Sequence, residues 1–151
     1  MAIQIRPARP SDTPVIIEYN RQMAEETEGK ALDRAVLAAG VERALADPAK
    51  GRYFVGEEDG EVLGQMMVTW EWSDWRNGWF WWIQSVYVRA DARRKGVFKG
   101  LYDHVCRTAK ESPDVIGIRL YVDRDNQAAQ KTYARLGMEV TEYLVMEQYP
   151  L

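Results

Sequence analysis

Hydrophobic residues recur along this chain at two spacings, two and three-to-four, and the alternation between them lays out the elements. Ile3 and Ile5 alternate with polar neighbours over Ala2 to Arg6, a short strand ended by Pro7 and Pro10. Ile16, Tyr19 and Met23 form the stripe of a first helix. Ser11 or Asp12 is placed to cap it, Pro14 falls in its opening turn and Gly29 closes it. A second helix starts near Asp33, turns Val36, Leu37, Val41 and Leu45 inward, and stops before Pro48. The period then drops to two. Arg52–Glu57, Val62–Trp72 and Trp79–Val88 read as three consecutive antiparallel strands. Asp59-Gly60 and Asn77-Gly78 supply the turns between them, since both dipeptides accept positive φ.

Beyond that meander Val97, Leu101, Val105 and Ala109 recur every four residues, predicting a helix to about Lys110. Val115–Val122 is a fifth strand. Strand, helix and strand with short links form a right-handed parallel crossover. Asn126–Leu136 is the last helix, with Ala129, Thr132, Tyr133 and Leu136 on one face and Gly137 at its C-terminal cap. Met138–Tyr149 is expected to finish the sheet as one or two strands. The architecture predicted is mixed α/β in a single domain over residues 1–151. Its central sheet is mostly antiparallel with one parallel pair, flanked by helices.

Composition narrows the function. A length of 151 residues with 46% hydrophobic and 28% charged positions suits one globular domain with a real core. A net charge of −3 argues against a general nucleic-acid binder, so the basic run Arg93-Arg94-Lys95 with Lys99 is local and suggests one anionic ligand. Cys106 is the only cysteine, which excludes an intrachain disulfide and a cysteine metal site; no metal is expected. The N-terminal stretch lacks the apolar core of a signal peptide and no apolar run approaches bilayer length, so a cytoplasmic protein with no membrane partner is expected.

The candidate chemistry lies where the apolar strand Trp79–Val88 passes through Arg93-Arg94-Lys95-Gly96-Val97-Phe98-Lys99 into a helix. A loop that opens a helix presents unpaired N–H groups and the positive end of the helix dipole to a phosphate or diphosphate. The loop nearly fits [Gln/Arg]-x-x-Gly-x-[Gly/Ala]. That pattern is weak alone, and a basic solvated helix start would also produce it. A second constellation, Asn126-x-x-Ala129-x-x-x-Tyr133-x-x-x-Gly137-Met138, follows the next strand. In this order and spacing the two resemble the GNAT acyltransferase superfamily, and the resemblance spans essentially the whole chain. A P-loop nucleotidase is disfavoured because no Gly-Lys-Ser or Gly-Lys-Thr follows the glycine. An antiparallel meander ahead of the loop disfavours a dinucleotide fold.

The resemblance implies an N-acetyltransferase that moves an acetyl group from acetyl-CoA (coenzyme A) to a primary amine of a small molecule or a protein, by direct attack in a ternary complex. It implies that Arg93, Arg94, Lys95, Gly96, Val97, Phe98 and Lys99 form the diphosphate cradle. The backbone of Val86, Tyr87 and Val88 would pair with the pantetheine arm as an added strand would. Asn126 would bond to that arm, Ala129 would leave it room, and Tyr133 would bring its hydroxyl to the thioester sulfur. Two positions depart from the family pattern. Phe98 stands where a small residue is favoured, so its ring must turn aside under the helix. Gln84 stands where some members carry a glutamate base, and an amide accepts no proton at neutral pH. Glu71, on the neighbouring strand, is the nominated base.

Two other readings stay open at this stage. One is a non-catalytic acyl-CoA-binding sensor or interaction domain of the same fold, favoured by Gln84; the other is an enzyme using a longer acyl donor. His104 reads as a partly exposed helical residue and Cys106 as packing. Glu25, Glu26 and Glu28 read as a solvated helix face that could also attract a cationic amine. Six tryptophans crowd one hairpin, some for the core and some available to wall an acceptor pocket or form the contact of a homodimer.

Overall fold

Residues 2–151 are described by a computed structural model. The alternating stretches form a five-stranded sheet in the order β1-β2-β3-β4-β5, with β1 (Gln4–Pro7), β2 (Arg52–Glu58), β3 (Glu61–Ser73), β4 (Gly78–Val88) and β5 (Val115–Leu120). The first three pairings are antiparallel and the last, β4 with β5, is parallel. The helices α1 (Thr13–Glu28), α2 (Arg34–Ala46) and α3 (Val97–Glu111) fall where the periodicity predicts them. Gly29 ends α1 in the left-handed conformation, and Asp33 caps α2 by accepting from the Val36 N–H at 3.0 Å.

Asp12 does not cap α1 with its side chain. It is nearly buried and takes a two-pronged ion pair from Arg6 on β1, at 2.8 and 3.0 Å, while also accepting from the Arg9 N–H. The guanidinium beside it holds the Asp12 carboxyl below its ordinary pKa. Val36 also differs from expectation: it is exposed, and α2 instead buries Val41 and Ala44.

Alternation along β2 sends its side chains to two layers. Tyr53 and Val55 meet Ile16, Val41 and Ala44 in one buried cluster. Phe54 points the other way, its ring 5.2 Å from that of His104 on α3, whose pKa burial lowers. On α3, Val97, Leu101, Val105 and Ala109 are all buried, as their four-residue spacing requires. Each of the two valines and the leucine contributes about 1.5–3 kcal/mol by leaving water, and the alanine methyl less.

One packing detail fixes where α3 begins. Gly56 on β2 and Gly64 on β3 are directly paired, and the hollow they leave is filled by Val97, the first residue of α3. A Cβ on Gly64 would stand 2.8 Å from Val97 Cγ1 and 2.9 Å from the Tyr87 carbonyl oxygen. The sheet therefore seats the helix start against the end of β4.

The chain clusters into two compact units, the first reaching Leu120 and the second running from Tyr121 to Leu151. The second carries α4 (Gln127–Arg135), capped by Asn126, whose Oδ1 accepts from the Ala129 N–H at 3.1 Å. Its end is closed by paired bonds from Gly137 N–H to Ala134 and from Met138 N–H to Tyr133, with Gly137 at φ 97°. Among the described residues the sheet has five strands, and none of them falls in Met138–Tyr149, where closing strands are expected from the sequence. Alternating apolar residues supply a strand's faces, but a strand is defined only by pairing with a neighbour's N–H and C=O groups, which the alternation does not specify.

Candidate active site

Strand β4 outruns its parallel neighbour. Pairing with β5 covers Trp79 to Ile83, where β5 stops at Leu120 opposite Ile83, so Gln84 to Val88 have no β5 partner. On the other side two residues of β4, Ser85 and Val86, stand against one of β3, Met66, between the pairs Gln84–Met67 and Tyr87–Gln65. Ser85 takes φ 52° there, a bulge held by the fully buried Gln65, whose Nε2 donates to the Ser85 carbonyl at 3.0 Å. Ser85 and Val86 thus leave the ladder with β3, which resumes at Tyr87 and Val88, while on the other side the end of β4 has no β5 partner. Extended backbone in that condition is ready to pair with an extended ligand.

Immediately beyond, Arg94 and Gly96 adopt left-handed conformations with φ 68° and 87°. Gly96 is the N-cap of α3, and no side chain caps that end. The first-turn N–H groups of Val97, Phe98 and Lys99 lie beyond the reach of intrahelical acceptors. A Cβ on Gly96 would meet open space, so glycine is required by its backbone angle rather than by crowding. Phe98 is half-buried and stacks at a tilt on Tyr102, ring centroids 6.1 Å apart, so its ring lies along the helix. Arg94 and Lys95 enter no ion pair among the described residues, whereas Lys99 pairs with Asp103 at 2.7 Å.

A cleft of about 580 Å³ opens beside this junction, lined by Met23, Glu26, Thr27, Val86, Tyr87, Val88 and Arg93. Arg93 spans it. Its Nε donates to the Val88 carbonyl at 3.0 Å and its Nη2 to Glu26 Oε2 at 2.6 Å. The Tyr87 hydroxyl donates toward both Glu26 Oε1 and Gln22 Oε1, at 2.9 and 2.8 Å. Arg93 keeps the Glu26 carboxyl below its usual pKa, while burial and the neighbouring carboxylate push the Tyr87 phenol up.

Of the residues expected from sequence, Val86 to Val88 and Arg93 to Lys99 come together at this junction. Asn126, Ala129 and Tyr133 lie together on α4 and its cap in the second unit, and burial raises the Tyr133 pKa. Gln84 donates its amide to Thr69 Oγ1 at 2.5 Å, a packing role. Glu71 pairs with Arg119 at 2.9 Å and accepts from the Trp82 indole at 3.4 Å. It sits across from Phe80, about six residues and about 20 Å along β4 from Val86. The motifs along the chain do not point to Gln65, Ser85 or Gln22 as site residues. A lone glutamine inside the apolar run Leu63–Val68 was the available signal for the first, and the four-residue helical spacing of Gln22 and Glu26 for the last.

Residues 15–138 match the acetyltransferase (GNAT) family, and the chain belongs to that family. Its structure is similar to that of a possible acetyltransferase from Clostridium difficile 630, at 43% identity and TM-score 0.94 over 100% of this chain and 99% of the other. The fold is shared with a predicted acetyltransferase with acetyl-CoA from Clostridium acetobutylicum (20% identity, TM-score 0.79, 97% and 96% covered). It is shared as well with glucosamine-6-phosphate N-acetyltransferase from Arabidopsis thaliana (19%, TM-score 0.74, 99% and 100% covered). None of the curated proteins compared matches the chain. Among the described residues no helix is long and apolar enough to cross a membrane.

Proposed function

We propose that this protein is an acetyl-CoA-dependent N-acetyltransferase acting on a primary amine of a small molecule or a protein. The observation that carries the reading is the junction itself: a run of β4 beyond the reach of β5, leading into a glycine-opened, basic helix start. The residues fit coenzyme A. First-turn amides of Val97, Phe98 and Lys99, with Arg94 and Lys95, suit the diphosphate, and the backbone of Val86 to Val88 suits the amide-rich arm. Bound acetyl-CoA supplies an activated thioester whose sulfur leaves as a thiol. Asn126 and Ala129 are assigned to the arm, and Tyr133 to the sulfur.

Proton positions follow from ordinary acidities. An alkyl amine of pKa about 10.4 is mostly protonated at pH 7, and unmasking its lone pair costs about 4–5 kcal/mol. The carboxylate of Glu71, the base expected from sequence, is engaged by Arg119 and the Trp82 indole, so no proton is routed through it. At the other end, moving a proton from an ordinary phenol to a thiolate is uphill by about 2 kcal/mol, and burial of Tyr133 enlarges the gap. Tyr133 therefore serves as a hydrogen-bond donor to the sulfur as its negative charge grows, with proton transfer late.

Thiol release from acetyl-CoA against a panel of primary amines tests the reading. Amine-dependent release is expected. Tight coenzyme A binding with no release for any amine would instead identify an acyl-CoA sensor, and faster release from longer thioesters would reassign the donor.

A further inference from the structure

The cleft contains a conflict that the proposed reaction must resolve. Arg93 is one of the basic residues assigned to the diphosphate side, yet it is engaged twice, by Glu26 and by the Val88 carbonyl. Glu26 in turn has its charge cancelled by Arg93. While this pair holds, neither residue offers its full charge to a ligand, and the Val88 oxygen is shielded from the arm it would meet.

The other side of Glu26 is short of protons. The single Tyr87 hydroxyl proton faces two acceptors, Glu26 Oε1 and Gln22 Oε1. Gln22 keeps its amide nitrogen on Glu18 Oε1 at 2.9 Å, which leaves its oxygen turned to Tyr87. At any instant one of the two oxygens lacks that donor. An ammonium group, with three N–H donors and a positive charge, complements such a pair.

Resting on the acetyltransferase reading, we infer that Glu26, with Gln22 and Tyr87, anchors the ammonium of the amine acceptor, and that Arg93 couples this site to the cofactor. The coenzyme A diphosphate draws Arg93 off Glu26, which exposes the carboxylate to the amine and the Val88 carbonyl to the pantetheine arm. Cofactor binding therefore strengthens acceptor binding, and acceptors that are cationic before reaction are preferred. The same exchange of partners makes the two ligands cooperative in either order of addition, because a coupling free energy is reciprocal.

Titration calorimetry with coenzyme A, on the wild type and on Glu26→Gln, reads the coupling directly. Glu26 lies on an exposed helix face, so the variant is expected to fold, with its melting temperature lowered by no more than about 2–4 °C for loss of the ion pair. Removing the competing carboxylate should tighten coenzyme A by about three- to fivefold, the worth of a half-exposed ion pair. The gain should vanish when Arg93→Gln is added. Saturation-transfer NMR with 1,4-diaminobutane completes the test: its signal should grow on adding coenzyme A to the wild type and not to Glu26→Gln. Equal coenzyme A affinity in wild type and Glu26→Gln overturns the coupling, and unchanged diaminobutane binding in that variant overturns the anchor. Failure of every form to bind coenzyme A would overturn the acetyltransferase reading itself.

Discussion

Single side chains carry two predictions that separate chemistry from stability. Tyr133→Phe removes the proposed hydrogen bond to the leaving sulfur and little volume, so turnover should fall by about 10- to 100-fold with coenzyme A affinity retained. Glu71→Gln should leave turnover within about threefold, because its carboxylate is engaged with Arg119 far along the sheet. Steady-state kinetics of both variants check this contrast. Asp12 bears on folding instead. Its carboxyl sits below the ordinary value because Arg6 grips it, so its contribution is fully present above about pH 4 and is lost as pH falls through the folded value. Asp12→Asn should cost about 2–3 kcal/mol near neutral pH, because Arg6 keeps Glu57 as a partner and is not stranded. Urea melts of this variant should also show a shallower loss of stability between pH 5 and pH 2, both figures being approximate bounds set by the carboxylate range.

At the scale of elements, the junction of β4 with α3 depends on a hollow and a bulge. Gly64 has no forced backbone angle; it is needed because Val97 Cγ1 and the Tyr87 carbonyl crowd the place of a Cβ. Gly64→Ala should therefore cost about 1–3 kcal/mol and displace the helix start, weakening coenzyme A binding beyond the loss of stability. Gln65→Leu releases the Ser85 carbonyl from its buried donor and should cost about 1–3 kcal/mol. Thermal melts paired with coenzyme A titrations read both variants. Full stability and full affinity for Gly64→Ala would show that the hollow does not seat the loop. The alternating residues were enough to predict β2, β3 and β4. The bulge at Ser85 was not legible, because it arises from how β3 pairs with β4 rather than from either strand's own pattern.

Across the whole molecule the charge of −3 sets the background on which one basic junction must attract a polyanion. Arg93 and Lys99 are partly offset by Glu26 and Asp103, leaving Arg94 and Lys95 as the exposed positive pair. Attraction between exposed charges is screened within about 10 Å at 0.1 M salt. Coenzyme A affinity should accordingly fall by about three- to tenfold between 0.05 and 0.5 M sodium chloride, approximate conditions chosen to span that screening length. Arg94→Gln with Lys95→Gln should flatten the dependence. Calorimetry across a salt series measures it.

Local signals in the chain alone determined the helices, the antiparallel meander, the parallel crossover and the family, since periodicity, caps and a spaced motif are all read within a few turns of backbone. Only the folded arrangement decided the seat of Val97 between two glycines, the bulge at Ser85 and the Arg93–Glu26 pair. Each of these joins residues far apart in sequence, or depends on a partner strand. A side chain's neighbours across that separation are set by packing, and no spacing along the chain encodes them.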